Sequence, residues 1–153
     1  MARNELVLFI ARLFLFVREA GGQNHGQRVE AIQRWCGGVV GESWCAYFAT
    51  LVLDLAYAGA SPIPRMGSVQ QIRELATKKG WITKTPVPGD LFIYVNAQNH
   101  GHHIGFFTGG TVRDPVGIAG NTDASGTSSN GDRVAEHALS HGTIEYVHLP
   151  EVG

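Results

Sequence analysis

The spacing of apolar residues changes period about halfway along this chain, and that change limits the fold more than any single motif does. Up to Gly80, apolar residues recur at helical spacing. From Pro86 onward they come in short runs cut by glycine and polar turns. Helices first and hairpin-linked strands second predict an α+β fold in which N-terminal helices pack on a small antiparallel sheet. The spacing predicts a helix over 4–19, with Leu6, Ile10, Leu13, Phe14 and Val17 on its buried face, stopped by Gly21-Gly22. A second helix is expected over 28–36, with Val29, Ile32, Trp35 and Cys36 on one side. Ser43 reads as the N-cap of a strongly apolar third helix over 44–58, ending at Gly59. Ser68-Val69-Gln70-Gln71 has capping-box form for a fourth helix running to Lys79, with Gly80 as its stop. Strands are expected over 91–95, 102–108, 116–120, 134–138 and 143–149, with a turn at Gly109-Gly110 and a polar loop over 121–132.

The chain has 153 residues, 44% of them apolar and 16% charged, enough to bury a core in one domain, and no interdomain linker or repeat interrupts it. A net charge of −1 argues against a strongly basic nucleic-acid binder. The apolar run over 6–17 is too short to span a bilayer. Glu5 and Arg12 within and beside it, and the lack of a small-x-small cleavage site after it, argue against an export signal. Synthesis in a reducing cytoplasm without a signal peptide, and no membrane or nucleic-acid partner, are therefore expected. Cys36 and Cys45 cannot build a disulfide scaffold or a four-thiolate zinc site, and a reducing compartment argues against a bond between them.

Cys45 lies two positions after Ser43, in the first turn of the apolar helix. Free amides and partial positive charge there stabilise a thiolate or a developing oxyanion. The bland alternative is a small buried hydrophobe. The histidines are His25, His100, His102, His103, His137, His141 and His148. His103 opens the strand His103-Ile104-Gly105-Phe106-Phe107. Alternation puts His103, Gly105 and Phe107 on one face and His102, Ile104 and Phe106 on the other. Gly105 leaves room for close approach of another element, which a base beside a cysteine needs. His100 and His102 read as solvated turn residues. Asn121, Asp114 and Asp123 are the candidates for orienting the imidazole. Two rivals stay open: a zinc hydrolase built on His100, His102 and His103, and a non-catalytic wall-binding module on the same fold. Trp35, Trp44, Trp81 and Tyr47 could line a groove, although Trp35 reads better as core.

Several motifs in this order resemble one family. Trp44-Cys45-Ala46-Tyr47-Phe48 resembles the cysteine signature of CHAP domains, the cysteine, histidine-dependent amidohydrolase/peptidases related to NlpC/P60 enzymes. Pro88-Gly89-Asp90-Leu91-Phe92 is similar to their PGD strand, and His102-His103-Ile104-Gly105-Phe106-Phe107-Thr108-Gly109 to their histidine strand. Gly120-Asn121-Thr122, followed by Gly131-Asp132-Arg133-Val134, resembles their third strand end and the returning strand. Asn24-His25-Gly26-Gln27-Arg28-Val29-Glu30 is similar to the lead-in of one branch. The resemblance covers about residues 19–149. It implies a papain-like fold, Cys45 as nucleophile, His103 as base and Asn121 as third member, with an Asn121 side-chain oxygen accepting from the imidazole. Ala119 departs from the glutamate that many members carry there, and an amide in its place adds no negative charge. The resemblance further implies cleavage of an amide in bacterial peptidoglycan, either N-acetylmuramoyl-L-alanine or a stem or cross-bridge peptide bond. Trp44, Tyr47 and His102 would contact substrate, with no cofactor or metal. A monomeric phage endolysin, acting in the periplasm or wall after release, is the setting expected; a phage-tail or secretion-system effector is the other.

Overall fold

In the computed structural model, which describes residues 1–122, 131–140 and 142–151, helices precede strands as the period change predicts. The helices are α1 (Arg3–Arg12), α2 (Gln27–Trp35), α3 (Cys45–Ala56) and α4 (Val69–Lys79). The strands are β1 (Ile82–Thr83), β2 (Leu91–Val95), β3 (Gly101–Gly110), β4 (Pro115–Thr122), β5 (Arg133–Ala138) and β6 (Thr143–Val147). They form one antiparallel sheet in the order β1-β6-β2-β3-β4-β5. Asp123 and the rest of the 123–130 stretch, and also His141, lie outside the described residues.

The composition of α3 dictates the layering. Its sequence CAYFATLVLDLA is apolar nearly all round, so it is stable only when covered on all sides. It packs against α1, α2, β3 and β4. Phe48 meets Phe14 and Phe106 edge-on, at ring separations of 5.8 and 6.5 Å. Alternation along the strands then sorts two faces. Leu91, Ile93, Ile104, Phe106 and Ile118 join the helix-side core. Phe92, Tyr94, Phe107, Ala119, Leu139 and Tyr146 form a second cluster on the other side. The PGD turn is tied down by its carboxylate: buried Asp90 accepts from the Val87 N–H at 2.8 Å and the Asn4 amide at 3.1 Å, and its Oδ1 lies 2.7 Å from His148 Nδ1.

Local signals held where the interactions are local. Ser68 Oγ accepts from the Gln71 N–H at 3.2 Å, and Gly80 closes α4 in the left-handed region at φ 74°. Three expectations are corrected. First, α1 stops at Arg12 rather than 19, because residues 17–19 leave the helix to pair with the edge of β5. Val134 N–H donates to the Val17 carbonyl at 3.1 Å and Glu19 N–H to that of Asp132 at 2.7 Å. The buried face of α1 is Val7, Leu8 and Ala11, while Leu13 is exposed. Second, Trp44, not Ser43, occupies the N-cap of α3, without a side-chain cap. Third, Gly109-Gly110 belongs to the end of β3. The two-residue β1 was not foreseen; it is too short to carry a period-two signal.

Candidate active site

Two aromatic side chains set the start of α3. Trp44 is buried; its indole N–H donates to Glu19 Oε1 at 2.9 Å. Its ring lies flush on Gly120 of β4, where a Cβ would come within 2.8 Å of it. Only glycine permits that approach, so helix start and strand end are locked together. Tyr47 is buried as well, with its hydroxyl donating to Glu42. Trp44 and Tyr47, both expected to contact substrate, are buried and position the first turn of α3 from inside. Of the three side chains expected to touch substrate, His102 alone is exposed, its ring 6.0 Å from that of Tyr94.

Cys45 is the first residue of α3 and is 3% exposed. Burial pushes its thiol up to about 11, and the backbone N–H groups of Ile104, Ala46 and Cys45 itself oppose the shift. The thiol is neutral at pH 7.

His103 precedes Ile104 on β3 and is wholly buried, its ring 6.1 Å from that of Phe92 and 5.6 Å from that of Tyr94. Burial, with His102 and His137 nearby, lowers it to about 3, so the imidazole is neutral. Neither ring nitrogen has a hydrogen-bond partner among the described residues. Alternation places His103, Gly105 and Phe107 as expected, but Gly105 makes room for something other than the cysteine. A Cβ there would come within 2.6 Å of the Phe92 ring and 2.7 Å of Ala119 Cβ, so the close approach is by strand neighbours.

Asn121 is buried at the end of β4, where a register shift between Ala119 and Thr122 turns its backbone to φ 54°. Its amide donates to Ser43 Oγ at 2.7 Å, while its Oδ1 has no partner among the described residues. The expected hydrogen bond from the His103 ring to Asn121 is therefore not formed; the register shift points the amide toward the start of α3 instead. Asp114 is exposed in the β3–β4 turn, at the end of these strands far from His103. The residues that sequence reasoning missed are Ser43, as the partner of Asn121, and His137. His137 Nδ1 lies 3.0 Å from the Ala138 carbonyl, which can only accept, so this nitrogen carries the proton. Its Nε2 then accepts from Thr122 Oγ1 at 3.1 Å. Period-two spacing from Ala135 would have placed His137 on an inward face.

Among the described residues no three His, Cys, Asp or Glu side chains converge as ligands for a metal ion. His100 and His102 are exposed while His103 is enclosed between aromatic rings. Both cysteines are free, and Cys36 Sγ lies 3.4 Å from the Tyr47 carbonyl and 3.6 Å from Thr50 Oγ1.

The buried imidazole has a measurable consequence. Unfolding returns His103 from about 3 to its ordinary 6.5, so between these values the unfolded chain binds one more proton and stability rises with pH. Glu30, Asp132 and Glu136 sit below ordinary values of 4.5 or less, and their contributions are lost at lower pH. Urea melts at pH 6.5 and 4.5 should differ by roughly 2–3 kcal/mol in the parent protein, at ~1.4 kcal/mol per unit. His103→Phe should remove most of that difference; an unchanged difference would show that the ring is not held neutral.

Comparison of the chain with protein-family models, with curated proteins and with solved structures gives no match in any of the three.

Proposed function

We propose that this protein is a cysteine amidohydrolase or peptidase of the CHAP kind, with a papain-like fold, that cuts an amide bond in bacterial peptidoglycan. One observation carries the reading: Cys45 opens α3, which packs on β3 and β4, and His103 stands on β3 as a buried neutral imidazole. A helix-start nucleophile against a histidine strand is an arrangement for acyl transfer.

The chemistry follows from two neutral partners. The reading requires the His103 ring to reach the Cys45 sulfur from the sheet face it shares with Phe92 and Tyr94, where its nitrogens have no partner among the described residues. Cys45 Sγ then attacks the scissile carbonyl carbon while the thiol proton passes to a ring nitrogen, so proton transfer accompanies attack rather than preceding it. The oxyanion draws on unpaired N–H groups of the first turn of α3. His103 then returns the proton to the amide nitrogen, the C–N bond breaks, and a thioester remains on Cys45. Water attacks the thioester, its proton goes to His103, and the carboxylate leaves as the thiol is restored. Ser43 holds Asn121, and Asn121 holds the end of β4 beside this centre. A monomeric endolysin reaching the wall after release is the setting this reading carries.

Digestion of purified sacculi followed by mass spectrometry tests the proposal. A new amine on L-alanine marks an amidase, and one inside the stem or bridge marks an endopeptidase. Iodoacetamide should abolish digestion and EDTA should leave it intact; the reverse result assigns a metal enzyme, and no digestion under any condition assigns a binding module. Because burial raises the thiol, alkylation of Cys45 should be slower than that of free cysteine at pH 7 and climb about tenfold per pH unit through pH 6–9. A flat rate across that range would mean a preformed thiolate–imidazolium pair.

A further inference from the structure

α1 and the turn after it carry four of the large apolar side chains that are exposed among the described residues, Phe9, Leu13, Leu15 and Phe16. Val7, Leu8 and Ala11 enter the core, while Phe9 and Leu13 are each 54% exposed and Phe16 is 60% exposed. These three stand four and three residues apart, so the first turns of the chain carry one projecting stripe, with Leu15 exposed beside it. A cavity of about 290 Å³ opens alongside, walled by Phe14, Phe16, Ile32, Trp35 and Leu51. Leu55, one helical turn beyond Leu51, is also exposed.

Two further observations say what covers this face. The first is charge. Residues 6–18 hold two arginines and no Asp or Glu. The Arg28 guanidinium lies 5.0 Å over the Phe16 ring and that of Arg65 3.9 Å over Trp35. Arg28 takes part in none of the ion pairs among the described residues, although Arg12 is bound to Glu136 and Arg65 to Asp54. The second is the backbone at the tip of the stripe. The N–H groups of Leu13, Phe14, Leu15 and Val17 donate to the carbonyls of Ile10, Ala11, Arg12 and Phe14. These four donors are satisfied within the segment, so they add no desolvation cost at an acyl boundary.

We infer that this stripe and its arginine rim seat on the surface of an anionic phospholipid bilayer. Projecting Phe and Leu side chains need no complementary pocket in a fluid acyl boundary, and long cationic side chains beside them reach headgroup phosphates. The contact is peripheral: no helix among the described residues is long and apolar enough to cross a membrane. It revises the expectation of no membrane partner, which rested on the length needed to span. It stands apart from the proposed catalytic chemistry.

Co-sedimentation of the full chain with vesicles decides the matter. At low salt, the bound fraction on phosphatidylglycerol–phosphatidylcholine vesicles should exceed that on pure phosphatidylcholine at least tenfold, and it should fall in 0.5 M salt. Leu13→Ser with Phe16→Ser should lower binding at least tenfold, with an unchanged far-ultraviolet spectrum. Arg28→Glu should weaken binding to the anionic vesicles alone, and this variant with the salt series decides should the double variant misfold. Equal, weak binding to both vesicle types overturns the inference. So does a dimer in solution that Leu13→Ser with Phe16→Ser dissociates, since a second copy would then cover the stripe.

Discussion

Cys45→Ala is expected to reduce digestion of purified sacculi below detection while the thermal melt moves by only a few degrees. The substitution removes the sulfur at the start of α3, and no other group there can form the thioester. The structural cost is small, because alanine keeps the Cβ and leaves only a void of about one atom, on the order of 1 kcal/mol. Cys36→Ala supplies the control. Its sulfur touches the Tyr47 carbonyl and the Thr50 hydroxyl on the far side of α3's first turn, so activity should stay near the parent level. Parent-rate digestion by Cys45→Ala would end the nucleophile assignment.

The second large effect is at His103. His103→Ala should lower the rate at least a hundredfold, within the ~10²–10⁴ range of a general acid–base group. The ring is the one imidazole placed next to Ile104, and its two nitrogens are not committed to other described residues. His100→Ala and His102→Ala remove exposed side chains and should cost far less. Folding of each variant is checked by near-ultraviolet circular dichroism before rates are compared. A greater loss at His102 than at His103 would reassign the base to the rim of the site.

What could be read from the chain, and what could not, divides by the range of the interaction responsible. Ser68 and Gly80 bound α4 through contacts within a few residues, and the strand over 91–95 is marked by its own apolar run; both were legible. The early end of α1 was not. It is imposed by pairing with β5, more than a hundred residues on. The site shows the same division. The motif around Cys45 indicates a helix start, but motif spacing is silent on environment. Nothing in it says that Trp44 is pinned under Gly120 or that Tyr47 faces inward. The partner of Asn121 was illegible for a related reason: the register shift within which it sits aims its amide at Ser43 rather than at the ring of His103.

The pairing of residues 17–19 with β5 also sets when the fold can close. Asn4 on Asp90 and the Tyr57 hydroxyl on the Pro150 carbonyl join early and late chain in the same way. Such contacts close large loops, so their entropy is spent before they return stability, and chains rich in them fold slowly. During synthesis the helices leave the ribosome before the strands that complete their core. Until residues 132–134 emerge, the segment after α1 has no edge to join, and the helix carrying Cys45 lacks a finished sheet to lie on. On the proposed reading, Cys45 is held without its completed surroundings until the last strands leave the ribosome, so the catalytic centre forms only after synthesis is nearly done.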